Sequence, residues 1–209
     1  HISCIGSSKQ QINDLLQEYI SLGVDRLVTL RGDIPEHGDS TRELSYASEL
    51  VAFIRETTGN HFTIEVAAYP EYPPESATPQ SDFTHFKQKV DAGADGAITQ
   101  YFYNIDAYKR FMDNCLSENI SIPITPGIMP ITNYESLTRF SDACGAEIPR
   151  WIRKQLEAYA DDKDSLQAFG LDVVTNLCNQ LLEIGAPGLH FYTLNQTNAT
   201  TAIWKNLTA

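Results

Sequence analysis

The chain has 209 residues, 42% of them hydrophobic, and it carries a net charge of −12 with a pI of about 4.7. This length and apolar content allow a single domain with a sizeable buried core, which we place at residues 1–209. The acidity argues against a nucleic-acid surface, because such surfaces need clustered lysine and arginine. No apolar run approaches the ~18 residues of a membrane span and no signal peptide is recognisable, so we expect a cytoplasmic protein.

Short apolar runs alternate with stretches of helical periodicity along the chain. Between the runs, apolar residues recur at helical spacing, as Ile12, Leu16 and Tyr19 do before Gly23. Such β-then-α units predict an α/β fold with a parallel sheet. The predicted strands are residues 2–5, 26–30, 63–69, 96–102, 122–128 and 188–194, with two or three helices between residues 133 and 183.

Two architectures fit this alternation, a doubly wound open sheet and a (β/α)8 barrel. The chain contains no G-x-G-x-x-G and no G-x-x-x-x-G-K-[ST], so the phosphate-binding signatures of open sheets are absent. It also enters a strand directly after His1, without an initiating methionine. We therefore predict a (β/α)8 TIM barrel with six of its eight βα units in this chain, which would make the chain N-terminally incomplete.

A candidate site follows the second strand. Arg31, Gly32 and Asp33 come directly after the apolar run at residues 27–30. Ligands of parallel α/β folds bind at the carboxyl ends of strands, where loops converge. Arginine offers planar donors, glycine allows close backbone approach, and aspartate supplies a fixed negative charge. Aromatic and amide side chains such as Tyr69 and Gln100 end other strands, and this combination suits a large, flat, partly charged ligand.

Other kinds of site are disfavoured by spacing. The five histidines show neither H-x-H nor H-x-x-x-H, so we expect no metal site. No G-x-S-x-G is present, which argues against a serine hydrolase. The cysteines form no C-x-x-C pair, so we expect them to be core residues in a reducing compartment. They are Cys4, Cys115, Cys144 and Cys178.

Six short segments follow one another in the order found in a known enzyme family. They are LRGD at 30–33, AAYPE at 67–71, KVDAGA at 89–94, AITQYF at 97–102, PGIMP at 126–130 and HFYTLN at 190–195. In these segments the chain resembles the methylenetetrahydrofolate reductase family. The resemblance implies a (β/α)8 barrel with bound FAD that reduces 5,10-methylenetetrahydrofolate to 5-methyltetrahydrofolate, using NADH or NADPH as hydride donor. It also implies a folate substrate and a homo-oligomer, without nucleic-acid or membrane partners.

The resemblance also implies roles for single residues. Arg31 and Lys89 would meet pyrophosphate or ribose oxygens. Asp33 would be catalytic and would also contact both flavin and folate, its charge favouring the cationic iminium that accepts hydride. Gln100 and Phe140 would bind folate and nicotinamide, and Gln196 lies where the family's arginine approaches the folate tail. The implied FAD contacts are His1, Arg31, Gly32, Asp33, Tyr46, Ala47, Tyr69, Asp82, His85, Gln88 and Lys89.

Some positions depart from the family pattern. Pro73 replaces a histidine that touches the cofactor in many relatives, and Ser136 replaces a glutamine that contacts folate. The family's proton-donating glutamate belongs to a strand that would precede His1. Glu65 and Glu71 are poor substitutes by position, so we assign no general acid.

Two other functions remain open from the sequence. One is a related flavin barrel that oxidises proline-like substrates, which Gln100 and the Leu30–Asp33 strand tip disfavour. The other is a non-catalytic remnant that binds flavin or folate. Under the reductase hypothesis, residues 1–209 on their own are expected to be inactive.

Overall fold

The structure, a computed structural model, describes residues 1–32, 43–74, 76, 78–159 and 161–208. Its strands are β1 (Ile2–Ser3), β2 (Arg26–Leu30), β3 (Thr63–Ala68), β4 (Gly96–Tyr101), β5 (Ile124–Ile128) and β6 (His190–Phe191). Its helices are α1 (Lys9–Ser21), α2 (Ala47–Thr58), α3 (Pro79–Asp91), α4 (Ile105–Ser117), α5 (Tyr134–Cys144), α6 (Arg150–Ala158), α7 (Lys163–Glu183) and α8 (Asn198–Leu207). No helix in these ranges is long and apolar enough to cross a membrane.

The six strands form one sheet whose spatial order is the order of the chain. β1 pairs with β2, β2 with β3 and β5 with β6, each time in parallel. A doubly wound sheet reverses its strand order at a switch point, whereas consecutive parallel strands separated by helices are the repeat of a (β/α)8 barrel. The predicted α/β class with barrel-type βα units is confirmed, and six units lie in the described residues.

The outer strands are shorter than predicted. β1 and β6 cover two residues each, where the apolar runs predicted residues 2–5 and 188–194. Each of them pairs with one neighbour in the described sheet. The backbone then turns left-handed, at Gly6 (φ 83°) after β1 and at Leu194 and Asn195 (φ 48° and 59°) after β6. An extended strand cannot continue through such residues.

The helices bury the faces that the periodicity predicts. Ile12 and Leu16 are buried on α1, which begins with a capping box formed by Ser8 and Gln11. The region between residues 133 and 183 holds three helices, at the upper end of the predicted range. α7 begins at Asp162, whose carboxylate accepts the Ser165 N–H and satisfies a donor that the helix itself leaves unpaired.

The chain divides into two compact units, which are described separately. Unit 1 comprises His1–Ala68, Phe83–Ile98 and Ile120–Pro123, and unit 2 comprises Tyr69–Asp82, Thr99–Asn119 and Ile124–Ala209. Unit 1 has an apolar core that includes Leu16, Leu50, Ile54, Ile64 and Phe86. The core of unit 2 includes Phe102, Ile152, Leu156, Val174 and Leu181. The assignment of residues 1–209 to a single domain stays a prediction.

Arg55 joins three segments of unit 1. Its guanidinium donates to the Gly93 carbonyl at 2.8 and 2.9 Å, to the Phe62 carbonyl at 2.8 Å and to the Asp95 carboxylate at 2.5 Å. Asp95 in turn accepts the Ile64 N–H at 2.7 Å. These bonds fix the end of α2 to the residues just before β3 and β4. A planar fork of donors is required, because the acceptors lie in different directions around one side chain.

We expect Arg55→Lys to destabilise the protein by about 1–3 kcal/mol, because an ammonium cannot reach all of these acceptors and leaves buried carbonyls unpaired. Urea unfolding followed by circular dichroism measures the loss. Arg26→Lys is the matched control, since Arg26 forms a loose, exposed ion pair with Glu65 at 3.6 Å, and it should change stability by less than about 0.5 kcal/mol. Equal losses in the two variants would contradict the assigned role of Arg55.

Candidate functional site

In unit 1 the site residues begin where β2 ends. The Arg31 carbonyl accepts the Ile5 N–H at 3.0 Å and the Cys4 thiol at 3.2 Å. Burial raises the pKa of the Cys4 thiol, so the protonated thiol is the form that donates. These bonds extend the β1–β2 pairing past both strands. They hold the Arg31 backbone at the strand tip.

Gly32 makes the turn that follows. Its φ is +86°, and a Cβ placed there would lie 3.1 Å from the Ser3 Cβ and 3.4 Å from the Ile5 Cβ. Glycine is therefore needed for both backbone conformation and space. Arg31 Nε donates to the Gly32 carbonyl at 3.4 Å, which keeps the guanidinium beside this turn.

An aromatic pair lies at the start of α2. The Tyr46 ring stacks on the His85 ring of α3, with centroids 6.4 Å apart and planes 26° from parallel. Tyr46 precedes α2, and its side chain is 56% exposed. Ala47 is the first residue of the helix. Two predicted cofactor contacts, Tyr46 and His85, are thus brought together and offer a flat surface to a ligand.

α3 contributes further predicted contacts to unit 1. Gln88 is exposed and Lys89 half-buried. Lys89 Nζ donates to the Ala67 carbonyl at 2.5 Å and lies 5.8 Å from the centre of the Phe86 ring. The ammonium is thereby held near the end of β3. His1 precedes β1 and is exposed.

These residues of unit 1 fit a flavin nucleotide. Arg31 and Lys89 are cations with fixed positions, which pyrophosphate oxygens require. Gly32 makes the tight turn beside Arg31, and the Tyr46–His85 pair provides an aromatic face. The donor set therefore suits FAD. Asp33, the predicted catalytic residue, lies outside the described residues, so its role stays a prediction.

Unit 2 carries the other predicted residues. Tyr69 follows β3 and Asp82 lies in the first turn of α3. Gln100 is on β4, where its side-chain oxygen accepts the Tyr101 N–H at 3.0 Å. Phe140 lies on α5, 36% exposed, with the Arg139 guanidinium 5.6 Å from its ring centre.

Gln196 is exposed in a tight turn. Its N–H donates to the Thr193 carbonyl at 2.8 Å, across the left-handed residues Leu194 and Asn195. Non-glycine residues are strained in this conformation, and such strain concentrates at binding loops. The turn fixes the backbone at Gln196, just before α8.

A group of buried phenols fills unit 2. The Tyr101 hydroxyl lies 3.1 Å from the Ser141 hydroxyl and receives the Cys144 thiol at 3.5 Å. Tyr103 donates to the Met129 carbonyl and Tyr192 to the Thr99 carbonyl. Burial raises the pKa of all three phenols, so they are neutral donors at physiological pH. The aromatic run at 101–103 is thus core packing.

Glu71 is the residue that sequence reasoning undervalued. Its carboxylate accepts the Glu147 N–H at 2.8 Å, and burial raises its pKa to about 7. The hydrogen bond from the Glu147 N–H and, less strongly, the nearby Arg110 lower that pKa, but by less than burial raises it. Glu71 can therefore hold or release a proton near neutrality. The sequence signal for Glu71 was its position after Pro70 in the AAYPE segment at 67–71. That segment does not reveal how far the side chain is buried.

We expect the stability of the protein to fall as pH rises from about 4.5 to about 7, because native Glu71 binds its proton more tightly than the unfolded chain does. The contribution is complete below the unfolded pKa and is lost as pH passes the folded one. After allowance for solvent screening, Glu71→Gln should reduce this loss by about 1 kcal/mol. Denaturant unfolding at several pH values measures it.

Glu118→Gln is the control for that experiment, since Glu118 is an exposed residue at the end of α4. It should leave the pH dependence as in the wild type. An unchanged slope in Glu71→Gln would contradict the proposed proton affinity of Glu71.

Comparison with known proteins relates the sequence of this chain to an enzyme family. Residues 1–208 match the family described as methylenetetrahydrofolate reductase. A 5,10-methylenetetrahydrofolate reductase of Buchnera aphidicola subsp. Schizaphis graminum is 39% identical over 203 residues, covering 97% of this chain and 68% of the relative. The enzyme of the same name from Escherichia coli K12 is 36% identical over 207 residues, covering 99% and 69%.

A plant relative and a solved structure add to this comparison. A rice protein named "Probable methylenetetrahydrofolate reductase (NADH)" is 38% identical, covering 99% of this chain and 37% of its own length. A Clostridium thermocellum protein, described as binding two copies of 5-methyl-5,6,7,8-tetrahydrofolic acid, shares the fold. Its TM-score is 0.63 at 19% identity, over 99% of this chain and 71% of that one. On the sequence relationships, this chain belongs to the methylenetetrahydrofolate reductase family.

Proposed function

We propose that the protein reduces 5,10-methylenetetrahydrofolate to 5-methyltetrahydrofolate, with FAD as cofactor and NADH or NADPH as hydride donor. The observation that carries this proposal is the match to one reductase family over residues 1–208. The relatives from Buchnera and Escherichia coli bear the name of that activity and align with nearly the whole chain. The rice relative's name specifies NADH, so NADH is the donor to test first.

The residues of unit 1 would bind the flavin nucleotide. Arg31 and Lys89 would pair with its pyrophosphate or ribose oxygens, and Gly32, in the turn beside Arg31, would be a further contact. The Tyr46–His85 pair would contribute an aromatic surface. His1, Ala47 and Gln88 would complete the contacts from this unit. Tyr69 and Asp82, which belong to unit 2, remain predicted FAD contacts.

When bound, FAD would supply hydride transfer from the nicotinamide to the folate. Asp33 would stabilise the cationic iminium form of the substrate electrostatically. The Gln100 amide would orient the folate and the nicotinamide in turn, and the Phe140 ring would pack against their flat rings. Gln196 would lie beside the folate tail without the charge that an arginine would bring.

The cysteines support a cytoplasmic location. All four are free, and Cys4, Cys115 and Cys178 are buried. Burial raises the pKa of the Cys115 and Cys178 thiols, which keeps them protonated and unreactive. Unpaired, buried thiols are typical of a reducing compartment.

The activity is tested with the purified protein in three steps. A visible spectrum records bound flavin. Anaerobic NADH should then bleach the flavin bands, and 5,10-methylenetetrahydrofolate should restore them with formation of 5-methyltetrahydrofolate. Bleaching by proline but not by NADH would favour the related proline-oxidising barrels. A flavin that neither donor reduces would favour a non-catalytic binding protein.

We expect Asp33→Asn to slow flavin reoxidation by the folate about 10²–10³-fold, equivalent to about 2–4 kcal/mol, because a cation develops only in that half-reaction. Flavin reduction by NADH should change much less. Stopped-flow absorbance measures both steps. Asp113→Asn, at an exposed position of α4, is the control and should leave both rates unchanged. Equal slowing of the two half-reactions by Asp33→Asn would mean that Asp33 merely positions the flavin.

We expect Gln196→Arg to lower the KM for polyglutamylated folate while leaving kcat nearly constant, because a cation beside the tail binds substrate and transition state equally. Steady-state kinetics with monoglutamate and polyglutamate substrates measure the effect. Gln167→Arg adds the same charge at an exposed position of α7 and serves as the control. A KM that falls equally in both variants would indicate a general charge effect, and an unchanged KM would place the tail elsewhere.

A further inference from the structure

The segment after β3 is tied to a distant part of unit 2 by one side chain. We call residues 69–74 the β3 loop. Glu71 in this loop accepts the Glu147 N–H at 2.8 Å, across 76 positions of sequence. Glu147 lies between α5 and α6, beside the buried Ala146 and Ile148. The bond therefore joins a loop at a strand tip to a segment with buried neighbours.

Backbone packing reinforces this bond. Gly145 ends α5 in the left-handed conformation (φ +76°). A Cβ placed on it would lie 2.9 Å from the Tyr72 carbonyl oxygen, 3.2 Å from the Pro73 Cα and 2.8 Å from the Pro74 Cδ. No side chain fits there without displacing the β3 loop. The loop and residues 145–147 are thus in contact at two points, one polar and one steric.

The β3 loop also connects two residues proposed to bind FAD. Tyr69 is its first residue. On the other side, the Ser76 N–H donates to the Pro73 carbonyl at 2.9 Å, and the Ser76 hydroxyl donates to the Asp82 carboxylate at 3.1 Å. Displacement of the loop at Glu71 would therefore reach both Tyr69 and Asp82. Pro70, Pro73 and Pro74 stiffen the loop, so it would shift as a piece.

We propose that Glu71 is a positioning residue that fastens the β3 loop to residues 145–147 and so holds Tyr69 and Asp82 in place for the flavin. The link to flavin binding rests on the proposed function. In this proposal Glu71 touches neither the cofactor nor the substrate. It acts through the loop it anchors.

The chemistry of this role is acceptance of a hydrogen bond rather than negative charge. Burial raises the pKa of Glu71 to about 7, so near neutrality the side chain is partly an uncharged acid. Its oxygen accepts the Glu147 N–H in either form, whereas negative charge on this half-buried side chain next to Glu147 is unfavourable. Glutamine keeps an acceptor oxygen of the same reach, and leucine keeps the bulk without the acceptor. This pair of substitutions separates hydrogen bonding from charge.

The experiment compares Glu71→Gln, Glu71→Leu and the control Glu118→Leu, which places the same residue at an exposed position of α4. FAD affinity of the apoprotein is measured by flavin fluorescence titration, and hydrogen exchange of the apoprotein is measured over residues 69–82. Glu71→Leu should raise the FAD Kd about tenfold, the equivalent of one net hydrogen bond, and should speed exchange in that segment. Glu71→Gln and Glu118→Leu should stay within about twofold of wild type.

An FAD Kd that Glu71→Leu leaves unchanged would overturn the inference, as would a Glu71→Gln protein as impaired as the leucine variant. A lowered Tm with normal FAD affinity would reduce Glu71 to a purely structural residue and would also overturn it. If the wild type binds no FAD, the proposed function fails, and exchange over residues 69–82 still decides whether Glu71 fastens the loop. Gly145→Ala tests the steric contact independently, should Glu71→Leu fail to fold, and should raise the Kd in the same direction.

Discussion

The parallel pairing of strands in chain order is the constraint from which the rest of the structure follows. A parallel neighbour can be reached only by a crossover, so a helical segment must return the chain between successive strands. Each strand then points its carboxyl end in the same direction as its partner. The register of Ser3 with Leu30 places Arg31 beside the residues that follow β1, where the Ile5 N–H and the Cys4 thiol donate to its carbonyl. Strand order therefore decides which loop residues become neighbours.

The predicted site residues of the two units differ in their chemistry. Unit 1 holds cations and a glycine turn in an otherwise acidic chain, with Lys89 fixed on the Ala67 carbonyl. Unit 2 holds neutral phenols, an amide and Glu71. Buried phenols with raised pKa values keep their protons, so they provide fixed dipoles rather than charges.

Arg55 and Glu71 both form hydrogen bonds between a side chain and a backbone group of another segment. Arg55 satisfies backbone carbonyls at the amino ends of β3 and β4, away from the strand tips that carry the candidate site. In the loop after β3, where the chain has no regular secondary structure, Glu71 accepts the Glu147 N–H. Both side chains meet partners far away in sequence. In both cases a side chain satisfies a backbone group of another segment.

The sequence by itself determined the α/β class, the six strands and the segments that carry the family resemblance, because strand and helix periodicity and short motifs are local properties. It placed Gly32 and Arg31 at a strand tip for the same reason. It overestimated the lengths of β1 and β6, since the number of residues that pair with a neighbouring strand is a property of the tertiary structure. Tertiary structure alone decided that Glu71 meets Glu147, that Tyr46 stacks on His85 and that Gly145 excludes a side chain. These contacts join residues distant in sequence, and the desolvation that raises the pKa of Glu71 exists only once they have formed.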